Sequence, residues 1–139
     1  MNASIEAVNS VIPNTFEPGS PSILMAPILQ TELGVLIGIT GDVRGRLIVS
    51  TTTDVLARIG ESMYGIELDD EMVKSFASEF TNMIAGHMVR LAEGLNMDIS
   101  PPTTLEGETK LYGFNHGVMV PLVSKRIGTV RLALVLEGI

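Results

Sequence analysis

Residues 69–95 read DDEMVKSFASEFTNMIAGHMVRLAEGL, and this stretch decides the architecture. Asp69 or Asp70 can cap a helix here, because a short acidic side chain accepts hydrogen bonds from the free N–H groups of a first turn. The acidic turn Asp69-Asp70-Glu71 also suits the positive end of the helix dipole and needs no other role. At about 100° per residue, Met72, Val73, Phe76, Ala77, Phe80, Met83, Ile84, Met88, Leu91 and Leu95 share one broad apolar face. That face has to be buried, which predicts a helix over 70–95 lying on a sheet, with Phe76, Phe80, Ile84 and Leu91 covered. The opposite arc carries Ser75, Glu79, Asn82, Gly86, Arg90 and Glu93.

Outward from this helix, Thr52 to Tyr64 reads as a second helix, with Thr52, Thr53 or Asp54 near its cap, Val55, Ile59 and Met63 at i, i+4, i+8, and Gly65 as its stop. Ile23 to Gln30, Leu33 to Thr40 and Arg46 to Ser50 read as strands, with a turn near Gly41-Asp42. Downstream, Pro101-Pro102 marks a loop. Leu111 to Val123 and Arg126 to Leu136 read as strands around a turn at Ser124-Lys125, and a shorter strand fits between Asn96 and Glu108. Residues 3–16 suit a short helix, with Ile5, Val8, Ile12 and Phe16 at helical spacing, kinked or ended by Pro13. The element order is α-β-β-β-α-α-(β)-β-β. Strands joined by short turns imply an antiparallel sheet, and a helical block between groups of strands implies an α+β fold. No linker or low-complexity run divides the chain, so residues 1–139 read as one domain.

Hydrophobic residues make up 45% of the chain and charged residues 18%, the opposite of a disordered composition. Lys and Arg number 9 against 16 Asp and Glu, a net charge of −7. That balance argues against nucleic acid and anionic membrane surfaces as partners, and suits a partner with basic groups. Cysteine is absent, which excludes disulfides and thiolate metal sites. The start, Met1-Asn2-Ala3-Ser4-Ile5-Glu6, lacks the basic and apolar regions of a signal peptide. No apolar run reaches the ~20 residues of a membrane helix, and Arg131 interrupts the apolar C-terminal segment. A cytoplasmic protein is the expectation.

The outward arc of the long helix is, by frequency, a solvated surface. Two of its residues fit that reading poorly. Asn is a mediocre interior helix residue, and Gly86 costs about 1 kcal/mol relative to Ala in mid-helix. A glycine one turn after Asn82, facing outward, leaves room for another protein's backbone. Ser75-x-x-x-Glu79-x-x-Asn82, continuing Asn82-Met83-Ile84-Ala85-Gly86, resembles the active-site helix of the CheX/CheC/FliY chemotaxis phosphatases, and most closely CheX. The bare Glu-x-x-Asn pattern also occurs at Glu6/Asn9 and Glu93/Asn96. Only the middle copy has the preceding Ser, the following Ala-Gly and a long amphipathic helix. The first copy stays open as a second site, since CheC-type relatives carry two. The chain departs from the family pattern in one respect. The family has a proline about two dozen residues after the Asn, where this chain has Leu105, with Pro101 and Pro102 a few residues earlier.

The resemblance implies a phosphatase acting on the phospho-aspartate of a CheY-like receiver. Such a receiver supplies its own metal, Mg2+, together with the phosphoryl group and a lysine beside it, so the chain is expected to need no cofactor of its own. Phosphoryl transfer depends mainly on positioning and electrostatics. An uncharged amide can donate one hydrogen bond and accept another without repelling the phosphoryl oxygens, which makes Asn82 the candidate for orienting water. The resemblance assigns Glu79 to a salt bridge with the receiver's lysine. Ser75, Gly86 and Arg90 would flank the contact; Arg90 could equally pair with Glu79 or Glu93. It also implies a homodimer that protects the sheet's edges. Two other readings stand beside this one: a non-catalytic receiver-binding adaptor or flagellar-switch-like scaffold of the same fold, whose relatives lack the Glu/Asn pair, and an unrelated homo-oligomeric sensing domain. His87 lies on the apolar side as a packed side chain, and His87 with His116 does not make a metal site.

Overall fold

The computed structural model describes residues 1–11, 15–24, 28–30, 32–92, 94–107, 109–111 and 116–137. In chain order these form α1 (Asn2–Val11), β1 (Glu17–Pro18), β2 (Ser22–Leu24), β3 (Ile28–Gln30), β4 (Leu33–Gly41), β5 (Gly45–Thr51), α2 (Thr53–Tyr64), α3 (Asp70–Leu91), β6 (Met97–Ile99), β7 (Thr103–Glu106), β8 (Thr109–Leu111), β9 (His116–Ser124) and β10 (Gly128–Leu136). The fold is the expected α+β arrangement. Every strand pair is antiparallel, and the main sheet runs β1-β9-β10-β5-β4-β6. Its spine is two hairpins, β4–β5 and β9–β10, joined edge to edge by β10 and β5.

Alternation along the strands divides the apolar residues between the two faces. Val35, Ile37, Leu47, Val49, Val120, Leu122, Val130 and Leu132 point to the main core, which the helices complete. Ile48, Ala133 and Val135 point the other way and bury with Leu111 of β8, whose strand pairs with β3 in a separate ribbon. α3 lies against β4, β6 and β7, with α1 and α2 both packed on it. Phe76, Phe80 and Ile84 are buried as the periodicity requires.

Leu91 is not. It is 41% exposed, as is Met72, and Leu95 is 45% exposed. The apolar spacing runs on, but the helix ends at Leu91 and its last buried side chain is Met88. Leu91 has the right direction on the wheel and no core beneath it.

The expected strand at Ile23 to Gln30 is two strands with different partners. β2 pairs with β9 and β3 with β8, and residues 25–27 between them lie outside the described residues. The segment from Leu111 to Val123 likewise divides into β8 and β9, with 112–115 outside the described residues. The anticipated short strand between Asn96 and Glu108 is β6 and β7, both paired to β4, separated by Ser100-Pro101-Pro102. Proline brings no N–H to a ladder, so the edge breaks there. α1 ends before Phe16, which is nonetheless buried in the main core; Pro13 lies outside the described residues.

Candidate functional site

Each end of α2 and the start of α3 are closed by the residues the sequence offers for it. The Thr52 hydroxyl accepts from the Val55 N–H at 3.2 Å. Gly65 takes the left-handed conformation (φ 73°) and its N–H returns to the Glu61 carbonyl at 2.8 Å. Asp69 caps α3 by accepting from the Met72 N–H at 2.9 Å, with Asp70 and Glu71 following in the first turn. Only Ile66, Glu67 and Leu68 lie between the two caps. A Cβ on Gly60 would collide with the Leu68 side chain, so this connection is packed closely against α2.

With α3 held by its buried side, its other arc is turned to solvent. Ser75, Glu79, Asn82 and Arg90 are exposed and Gly86 is half-buried. The five residues form one stripe, with Glu79 and Asn82 three apart and therefore neighbours on the helix surface. Asn82 makes no side-chain hydrogen bond among the described residues, leaving its amide free to donate and accept. The space over Gly86 is open. A Cβ there would meet nothing nearer than Arg90 Nη1 at 3.9 Å, an ordinary contact. Nothing in the described chain requires a glycine at this position.

The stripe has two flanks. Toward β7, Lys74 pairs with Glu106 at 3.0 Å and the Ser78 and Thr104 hydroxyls approach to 3.3 Å. Leu105, at the position where the family pattern has proline, lies in β7 opposite Gly34 and is half-buried. On the other flank, the Tyr64 hydroxyl at the end of α2 reaches Glu79 Oε1 at 3.4 Å. The Tyr64 ring meets Phe76 edge-on, with centroids 5.7 Å apart, and Phe76 stacks on Phe80 at the same separation. Burial first, and then the Glu79 carboxylate beside it, push the Tyr64 hydroxyl above its ordinary value of 10.0. Tyr64, Ile66, Leu68, Met72, Ser75 and Glu79 line much of an open groove of about 390 Å³ on this flank.

Among the described residues Arg90 does not pair with Glu79. Its guanidinium donates to His87 Nδ1 at 2.9 Å, which satisfies the half-buried His87 and fixes the Arg90 head beside Gly86. Glu93 lies outside the described residues. Glu6 and Asn9 both face solvent from α1, while Asn96 falls outside any helix. Among the described residues no group of three or more His, Cys, Asp or Glu is placed to hold a metal ion. Among the described residues no helix is long and apolar enough to cross a membrane.

Sequence reasoning missed Tyr64. Its contact with Glu79 spans 15 positions and two helices, so no periodicity carries it. The one hint was the short connection from Gly65 to Asp69, which forces the end of α2 to lie near the first turns of α3.

The family model described as chemotaxis phosphatase CheX matches residues 33–122. The CheY-P phosphatase CheX of Thermotoga maritima is 31% identical over 123 residues, covering 84% of this chain and 79% of that protein. Among solved structures, a CheC-like superfamily protein from Shewanella sp. PV-4 superposes with a TM-score of 0.81 at 21% identity, covering 99% of this chain and 96% of the other. The CheX of Borrelia burgdorferi, crystallised as a complex with CheY, BeF3 and Mg2+, superposes with a TM-score of 0.78 at 21% identity, covering 99% and 94%. With that family match over most of its length and a relative of this identity, the chain belongs to the chemotaxis phosphatase CheX family.

Proposed function

We propose that this protein hydrolyses the phospho-aspartate of a CheY-like receiver, using Asn82 to orient water and Glu79 to grip the receiver. The observation that carries the reading is the exposed pair itself: Glu79 and Asn82 stand side by side on a helix whose opposite face is buried from Val73 to Met88, with open space over Gly86. The Thermotoga relative is named a CheY-P phosphatase, and the Borrelia relative was crystallised with CheY.

In this mechanism the Asn82 carbonyl oxygen accepts a hydrogen bond from the attacking water, and its N–H donates toward the reacting centre. The water's lone pair is thereby aimed at phosphorus, in line with the bond to the aspartate oxygen. That bond breaks, leaving a free aspartate carboxylate and inorganic phosphate. Asn82 removes no proton; its contribution is orientation, as for the glutamine that orients water in small GTPases. Glu79, as a carboxylate, is kept from the phosphoryl oxygens by like charge and pairs instead with the receiver's lysine. Ser75 and Arg90 border the docked face, and Gly86 admits a receiver backbone. The receiver brings the Mg2+, and the chain needs no cofactor of its own. A net charge of −7 suits a receiver surface with basic groups. The protein works in the cytoplasm, where such receivers are.

We also propose a homodimer. Among the described residues β10 is interior to the sheet and β9 is flanked by the short β1 and β2, so one edge is β1 and β2 and the other β6 and β7, and the long apolar strands are at neither. On the first of these edges Ile23 is 78% exposed, an apolar side chain for a second copy to cover. A monomer in light scattering at all workable concentrations would remove this assembly.

Phosphate release from a phosphorylated receiver, measured with and without the protein, tests the activity. Accelerated release is expected. Binding to the receiver with no acceleration would overturn it in favour of the adaptor.

A further inference from the structure

We propose that Tyr64 is a positioning residue for Glu79, holding its carboxylate in one orientation before the receiver arrives; this rests on the reading of Glu79 as the docking carboxylate. A glutamate on an open helix face samples many rotamers, and docking has to immobilise it. Freezing such a side chain in advance reduces what association must overcome.

The geometry suits that task. Tyr64 is the last residue of α2, where Gly65 closes the helix and Asp69 starts the next. Its ring is set edge-on against Phe76, which stacks on the fully buried Phe80. An aromatic series therefore runs from the core to the surface and ends in a hydroxyl aimed at Glu79 Oε1. The tyrosine uses one carboxylate oxygen and leaves Oε2 for a cation. At 3.4 Å the contact is long for O–H···O, as contacts in free active sites often are before the partner tightens them. The hydroxyl is a protonated donor at neutral pH, as any tyrosine is, and partial burial and then the Glu79 carboxylate shift its ionisation further upward. Tyr64 is 47% exposed on the wall of the groove that Ser75 and Glu79 also line, so the hydroxyl lies on the face a receiver would meet.

Tyr64→Phe separates the two roles, since it keeps the ring on Phe76 and deletes only the oxygen. With a phosphorylated receiver as substrate, the KM should rise about three- to tenfold, the scale of one hydrogen bond, and by more than kcat falls. The same change made in a Glu79→Ala background should have no effect on KM, because the hydroxyl then has nothing to hold. A spectroscopic readout is independent of activity. The difference in phenolate absorbance between the wild type and Tyr64→Phe reports the Tyr64 titration, and its midpoint should fall in Glu79→Gln. An unchanged KM in Tyr64→Phe, an equal KM rise in the Glu79→Ala background, or an unmoved midpoint in Glu79→Gln would each overturn the positioning role alone. Glu79→Ala with an unaltered KM would overturn the docking role of Glu79, and this inference with it.

Discussion

Glu6 and Asn9 on α1 have the same spacing as Glu79 and Asn82 on α3, both pairs face solvent, and the two helices pack on each other. Their surroundings differ. α3 runs 22 residues, is capped by Asp69 and is anchored by Val73, Phe76, Phe80, Ile84 and Met88. α1 runs ten residues with no acidic first turn, and its fully buried apolar side chains are the small Ala7 and Val8. A helix of that length is marginal without its tertiary support. Glu79 has Tyr64 beside it, whereas at Glu6 the Ser10 hydroxyl donates to the backbone carbonyl and, among the described residues, no side chain bonds the carboxylate. Four residues after Asn82, still within α3, comes Gly86; α1 ends at Val11, two residues after Asn9, so its pair has no such open turn of helix beyond it. Spacing places two side chains together. Anchoring and clearance decide whether another protein can use them.

The largest expected effect separates the two asparagines. Asn82→Ala should lower receiver dephosphorylation about 10²–10³-fold, the usual loss for one preorganised catalytic contact, while receiver binding and the melting temperature stay nearly unchanged. Asn9→Ala should leave the rate as it is. A partial loss in each single variant, with the large loss seen only when both are changed, would make α1 a second active site, and a fully active double variant would sink the hydrolytic mechanism.

The glutamates should differ next. Glu79→Ala should weaken docking about tenfold, the lower end for a hydrogen bond to a charged group. The loss should shrink as salt is raised, since the contact is partly electrostatic. Titrating the receiver with each variant at low and high ionic strength checks this. Glu6→Ala should match the wild type at both.

Gly86→Ala should give the smallest change, with opposite signs in its two readouts. Helix propensity should stabilise the free protein by about 0.5–1 kcal/mol, because the added Cβ meets only Arg90 at 3.9 Å. Thermal melting would show the gain, and the KM for the receiver should rise. A variant both more stable and fully active would remove Gly86 from the docking face.

The two long helices, the stop at Gly65, the cap regions in which Thr52 and Asp69 were each one of the candidates, the two central hairpins and the Ser75–Arg90 stripe were all legible in the sequence. Each rests on periodicity or on a side chain bonding within its own turn, so the deciding interaction lies within a few residues. The rest depended on partners distant in the chain. Whether Ile23 to Gln30 is one strand or two is settled by β9 and β8, whose pairing residues lie between Thr109 and Met119, far downstream. The break between β6 and β7 acquires meaning only along β4. Leu91 keeps the apolar period, yet burial also needs something underneath, and the core stops at Met88. The stripe of α3 was written in the local sequence. The tyrosine beside its glutamate was decided by how α2 comes to rest on α3, a packing of two helices that no window along the chain contains.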